Sequence, residues 1–175
     1  MRHILSILMA NESGALVRVA GMFAQRGFNI ENLNVAPTDN DAMSRLTLVT
    51  RGSEAVVDQI VRQTQKLVDV IDVQNMTAVD HTELEVALVK IRSDIDQENL
   101  NTVLGEVDVH SVDTTDDRRM LRFLGTGDEL TALIEQLGDA RMLEEHVRSG
   151  AVTLARGAEL LHKTNDRSID KTIVE

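Results

Sequence analysis

The run His3-Ile4-Leu5-Ser6-Ile7-Leu8-Met9, the turn Ala10-Asn11-Glu12-Ser13-Gly14 and the segment opening at Ala15 decide the fold. A short, almost wholly apolar run has the length of a strand, and Asn, Ser and Gly in quick succession favour a turn and a helix start. From Ala15 the period changes. Ala15, Leu16, Val19, Met22 and Phe23 fall on one helical face, with Arg18 and Gln25 off it. Gly27 stands where a left-handed helix end is wanted.

Reading outward, Asn29–Ala36 is expected to be a strand, closed by Pro37 and the polar loop Thr38-Asp39-Asn40-Asp41. Ser44–Thr50 is a third strand. Ser53–Lys66 is a helix with Val56, Val57, Ile60, Val61 and Thr64 inward, and Val68–Met76 is a fourth strand. The order is βαββαβ. After the polar joint Val79-Asp80-His81-Thr82 it returns: strand Leu84–Ile91, then helix Gln97–Leu104 begun by Asp94 or Asp96. Strands Val107–Val112 and Arg118–Leu124 flank the turn Asp113–Asp117. Helix Glu129–Leu137 places Leu130, Leu133, Ile134 and Leu137 on one face, and a partly stranded segment spans Met142–Leu154. The expected class is α+β, with two ferredoxin-like domains over residues 1–79 and 80–156 and a polar tail over 157–175. Each sheet would carry its helices on one face. That leaves the other face and an edge strand open, and the apolar first strand argues that a second copy of the chain covers them.

Composition narrows the function. Three Phe, without Trp or Tyr, leave the core to Leu, Val, Ile and Met, which suits thin helix-on-sheet layers; the absence of Cys fits a reducing compartment. A net charge of −11 with scattered Lys and Arg argues against nucleic-acid binding. No apolar segment has the length of a signal core or membrane span, so a soluble, cytoplasmic protein is expected.

The turn Asn11–Gly14 is the most informative candidate site. A helix N-terminus offers unpaired N–H groups and a positive dipole end to a carboxylate or phosphate. Gly14 admits close approach, and Asn11 supplies a donor and an acceptor. From the residues alone, plain helix capping by Asn11 or Ser13, with Gly14 as an ordinary turn residue, is the favoured reading, and so is Asn29 simply finishing the turn after Gly27. Elsewhere the chemistry thins out. His3, His81, His110, His146 and His162 have no metal-ligand spacing. The pairs Asp116-Asp117 and Glu144-Glu145 are adjacent, so their carboxylates diverge. Gly125-Thr126-Gly127 lacks the rest of a phosphate loop. No catalytic constellation emerges, and no cofactor or metal site is expected in this chain.

Several segments, in order, resemble acetolactate synthase (acetohydroxyacid synthase) small subunits. They are Arg2–Leu8, Asn11–Leu16, Gln25–Glu31, Val35–Thr38 and Gln65–Val70, then more thinly Glu85–Ile91 and Val147–Val152. Asp94–Asn101 and Ser111–Asp117 depart from the pattern. The resemblance implies that the first domain is an ACT domain, a small amino-acid sensor, paired side by side with a second copy as a homodimer. It implies a feedback effector, usually valine, at the interface, bound by Asn11, Gly14, Ala15 and Leu16 of one copy with Asn29 and Ile30 of the other. It further implies a catalytic large subunit as partner, carrying thiamine diphosphate, a divalent metal and FAD. A free-standing ACT-type sensor of another enzyme or a transcription factor would share the same residues. An acylphosphatase-like hydrolase on this fold would need an Arg in the first turn, which has none.

Overall fold

The computed structural model describes residues 1–105, 107–157 and 161. The chain divides into two compact units, one formed mainly by Met1–His81 and one mainly by Thr82–Thr153.

In the first unit the elements run β1 (Arg2–Ala10), α1 (Ala15–Gln25), β2 (Ile30–Pro37), β3 (Met43–Arg51), α2 (Glu54–Thr64) and β4 (Val70–Asn75), then a single 3₁₀ turn at Met76–Ala78. The sheet order is β2-β3-β1-β4. β1 lies antiparallel to β3, with Arg2 opposite Arg51 and Ala10 opposite Met43, and antiparallel to β4. β2 turns back into β3 through a tight hairpin closed by Thr38 N–H donating to Met43 O at 3.0 Å. Helix α1 buries Ala15, Val19, Met22 and Phe23, and α2 buries Val57, Ile60 and Thr64.

The end of α1 shows how closely local sequence sets geometry. Gly27 adopts φ +68°, in the left-handed region. Its N–H donates to Ala24 O at 3.2 Å, and Phe28 N–H reaches back to Phe23 O at 3.0 Å. This pair of bonds is a Schellman motif, completed by the edge-on contact of the Phe23 and Phe28 rings 6.1 Å apart.

Three expectations for this unit need correcting. Leu16 is not on the buried face: it is 37% exposed, because it lies in the first turn at the rim of the arc that ends at Phe23. The fourth strand starts later than the apolar run suggested. Leu67 O accepts from Val70 N–H in a turn, which leaves Val68 90% exposed, and Asp69 is held by a side-chain partner. Finally, every residue from His3 to Met9 is at most 4% exposed within the single chain, so β1 does not need a second copy to cover it. The argument for association falls back on β2, an edge strand whose Glu31, Val35, Ala36 and Pro37 are exposed.

The second unit repeats the pattern: β5 (His81–Arg92), α3 (Gln97–Leu104), β6 (Val109–Thr114), β7 (Arg118–Gly125), α4 (Gly127–Asp139) and β8 (Leu143–Arg148). A ninth strand, β9 (Val152–Ala155), also pairs with β5, and the main order is β6-β7-β5-β8. The expected last strand is therefore two, split at Gly150, whose φ is +82°. Along β5, Ala87, Val89 and Ile91 are buried against Leu100, Leu104, Leu130, Leu133 and Leu137 of the helices. Val86, Leu88 and Lys90 alternate with them on the half-exposed face. Both helices start with side-chain caps. Asp96 accepts from Asn99 N–H at 2.8 Å, while Thr126 and Glu129 close a reciprocal capping box on α4. The Glu129 carboxylate, accepting from the Thr126 N–H and hydroxyl, is held below the usual Glu range. Apart from Gly157 and Leu161, the expected polar tail at 157–175 lies outside the described residues.

Candidate functional site

Gly14 is the N-cap of α1, at φ +90° and ψ −14°, and no side chain caps this helix. Ala15 N–H is bonded to Glu12 O at 3.2 Å, and Arg18 N–H is the first to reach a carbonyl of the helix start, Gly14 O at 2.9 Å. The N–H groups of Leu16 and Val17 fall between them, at the exposed positive end of the helix dipole. Neither Asn11 nor Ser13 acts as the cap. Asn11 instead ties the turn to the hairpin: its amide donates to Asp41 O at 2.9 Å, its side-chain oxygen accepts from Ser44 Oγ at 3.0 Å, and its main-chain N–H donates to Ala42 O at 2.8 Å. One amide N–H of Asn11 is left over, on an exposed residue.

Beneath the turn, Arg18 forks onto Asp69, Nε to one carboxylate oxygen and Nη2 to the other, the latter at 2.8 Å. Asp69 is 8% exposed, and its main-chain oxygen accepts from Ala10 N–H at 2.8 Å. The guanidinium holds the Asp69 carboxyl below its ordinary range, against the opposing effect of burial. Sequence reading gave no sign of this pair. Arg18 reads as a solvated helix position, and its partner lies 51 residues away, with no periodicity linking them.

Asn29 and Ile30 lie elsewhere. Asn29 just precedes β2, with its side chain exposed and its main-chain oxygen accepting from Thr50 Oγ1 at 2.6 Å. Ile30 is half-buried at the first position of β2. Thr50 pairs with His3 at one end of the sheet, whereas Ser44, the Asn11 partner, pairs with Met9 at the other. At about 3.3 Å per residue, the six steps along β3 from Ser44 to Thr50 separate the two levels by ~20 Å. One chain thus assembles Asn11, Gly14, Ala15 and Leu16 in a single turn, with Asn29 and Ile30 at the far end.

Among the described residues no group of three or more His, Asp or Glu could hold a metal ion. Glu144 and Glu145 diverge as expected, onto Arg118 at 2.7 Å and Lys90 at 2.9 Å. Gly125–Gly127 is the start of the capped helix α4, and His162 lies outside the described residues. No helix among the described residues is long and apolar enough to cross a membrane.

Comparison with known proteins fits both units to one family. Residues 5–72 match the family model described as the AHAS small subunit-like ACT domain, and residues 84–157 match the small subunit of acetolactate synthase. The chain belongs to the acetolactate synthase small-subunit family. The isozyme 3 small subunit of Salmonella typhimurium is 43% identical over 92% of this chain and 99% of that protein. Its Escherichia coli counterpart is 42% identical over the same shares. The crystal structure of the acetolactate synthase small subunit from Thermotoga maritima superposes with a TM-score of 0.80 at 29% identity, covering 90% of this chain and 98% of that one. The first unit is accordingly an ACT domain. The match of the second unit to acetolactate synthase small subunits separates this chain from a free-standing ACT sensor.

Proposed function

We propose that this chain is a non-catalytic regulatory subunit that binds valine between two ACT domains and controls a separate acetolactate synthase catalytic subunit in the cytoplasm. That catalytic partner, and not this chain, would carry thiamine diphosphate, a divalent metal and FAD. The observation that carries the reading is the separation of Asn11 from Asn29. Both belong to the effector set the family resemblance implies, yet ~20 Å of β3 keeps them apart in one chain. A two-fold axis through the edge strand β2 would set Asn29 of a second copy level with the Thr38–Met43 hairpin, beside the Asn11 turn. The ligand carboxylate then takes the Leu16 and Val17 N–H groups at the positive end of α1. The spare amide N–H of Asn11 and Asn29 of the second copy hold the remaining polar atoms, and the isopropyl group lies against apolar side chains near Ile30.

The test is to co-purify the chain with its catalytic subunit and measure acetolactate formation with and without valine, while following dimer dissociation by sedimentation across the same titration. Valine-dependent inhibition and a dimer that tightens with valine are expected. A catalytic rate indifferent to this chain, or a dimer constant that stays flat while valine binds, overturns the reading.

A further inference from the structure

The Arg18–Asp69 fork lies directly under the turn that begins α1. Two of the three guanidinium nitrogens are engaged with Asp69. The third, Nη1, stands 3.0 Å from the point where a Cβ on residue 14 would project. Real Cβ atoms rarely meet a neighbour that closely, so a side chain at position 14 and the guanidinium compete for one space. The fork also ties three elements together. Arg18 belongs to α1, Asp69 leads into β4, and the Asp69 carbonyl accepts from Ala10 at the end of β1. These are the elements that frame Asn11–Gly14 and aim the Leu16 and Val17 N–H groups.

We infer that Arg18 is a positioning residue of the effector turn: locked by Asp69, it fills the space beside Gly14 and fixes the angle at which the first N–H groups of α1 point. This rests on the effector reading above and adds a reason for glycine at position 14 that is independent of ligand bulk. Glycine is needed there for its φ of +90° and because the space beside it is already taken by an arginine of the same helix. A guanidinium pinned by both oxygens of a largely buried carboxylate has a fixed place, unlike the far end of a free side chain, so it does not simply move aside.

A double-mutant cycle on the full chain tests this, with valine affinity read by calorimetry and thermal midpoints of the ligand-free protein read alongside. Arg18→Ala should weaken valine binding roughly tenfold, and Arg18→Lys, which keeps the charge but loses the fork, should fall between it and the wild type. Gly14→Ala should weaken binding strongly in the wild-type background and much less beside Arg18→Ala, a coupling of at least about threefold. Asp69→Asn should weaken binding and relieve part of the Gly14→Ala loss, since the unpinned guanidinium is then free to move aside. The thermal midpoints separate a loss of fold from a loss of aim: the coupling must appear in affinity among variants that still melt cooperatively. If wild type binds valine and Gly14→Ala costs the same factor in both backgrounds, Arg18 has no positioning role. If wild type does not bind valine at all, the effector reading itself is wrong.

Discussion

Mixing two defective chains would expose where the effector site is built. Asn11→Ala removes the spare donor of the turn together with the bonds to Asp41 O and from Ser44 Oγ, while Asn29→Ala removes an exposed side chain whose backbone carbonyl keeps its bond to Thr50. Either variant alone spoils both sites of a two-fold dimer. Each lost hydrogen bond to a charged ligand is worth about 1.5–3 kcal/mol, or roughly 10- to 150-fold in affinity. If every site takes Asn11 from one chain and Asn29 from the other, a mixed dimer concentrates both defects in one site and leaves the second intact. Random exchange of equal amounts makes half of the dimers mixed, so about a quarter of wild-type sites should return at wild-type affinity. The assay is the stoichiometry from calorimetric titration with valine, before and after the two variants are equilibrated at dilution and reconcentrated. Asn11→Ala should also lower the thermal midpoint, whereas Asn29→Ala should not. A mixture that binds no better than its separate components would refute the argument from the ~20 Å separation, because a pocket within one chain cannot be restored by a neighbour.

Further outcomes follow from individual residues. Gly14→Asp should remove valine binding, since it sets a carboxylate where the ligand carboxylate belongs and strains a backbone at φ +90°; calorimetry should show at least a tenfold loss, about 1.4 kcal/mol. The depressed Asp69 carboxyl stabilises the fold above the ordinary Asp range, and that contribution is lost as pH falls through its lowered folded value. The stability gap between wild type and Asp69→Asn in urea should therefore be widest near neutrality and close in acid. Thr126→Ala should cost about 1 kcal/mol by opening the capping box on α4 while leaving valine affinity unchanged, which urea unfolding and calorimetry together would check.

The alternation of periods along the chain made both βαββαβ units legible, because strand and helix repeats bury different residues. Gly27 announced a helix end through its left-handed φ, and local chemistry narrowed the start of α3 to Asp94 or Asp96, of which Asp96 sets its carboxylate over the first N–H groups. What could not be read depends on residues far apart in sequence. The Arg18–Asp69 fork spans 51 positions, and it accounts for the crowding at Gly14. Asn11 looked like a helix cap because Asn caps helices, but the Asp41–Ser44 hairpin claims its side chain first. Coverage of β1 was misjudged for a related reason. Composition shows that a strand must be buried on both faces without showing whether the same chain suffices.

The two repeats differ at one corresponding point, the start of the first helix. In the ACT domain, α1 begins at a bare glycine, whereas α3 begins under the carboxylate of Asp96, which already accepts from Asn99 N–H. The second unit thus sets one of its own side chains over the helix start, where the first unit has none. Saturation should accordingly end at one effector per chain and two per dimer, both in equivalent environments. A spectroscopic probe of Asn99 should stay silent through the whole titration. Under the proposed reading only the first of the two repeats senses valine, because the start of α3 is already capped by a side chain of its own.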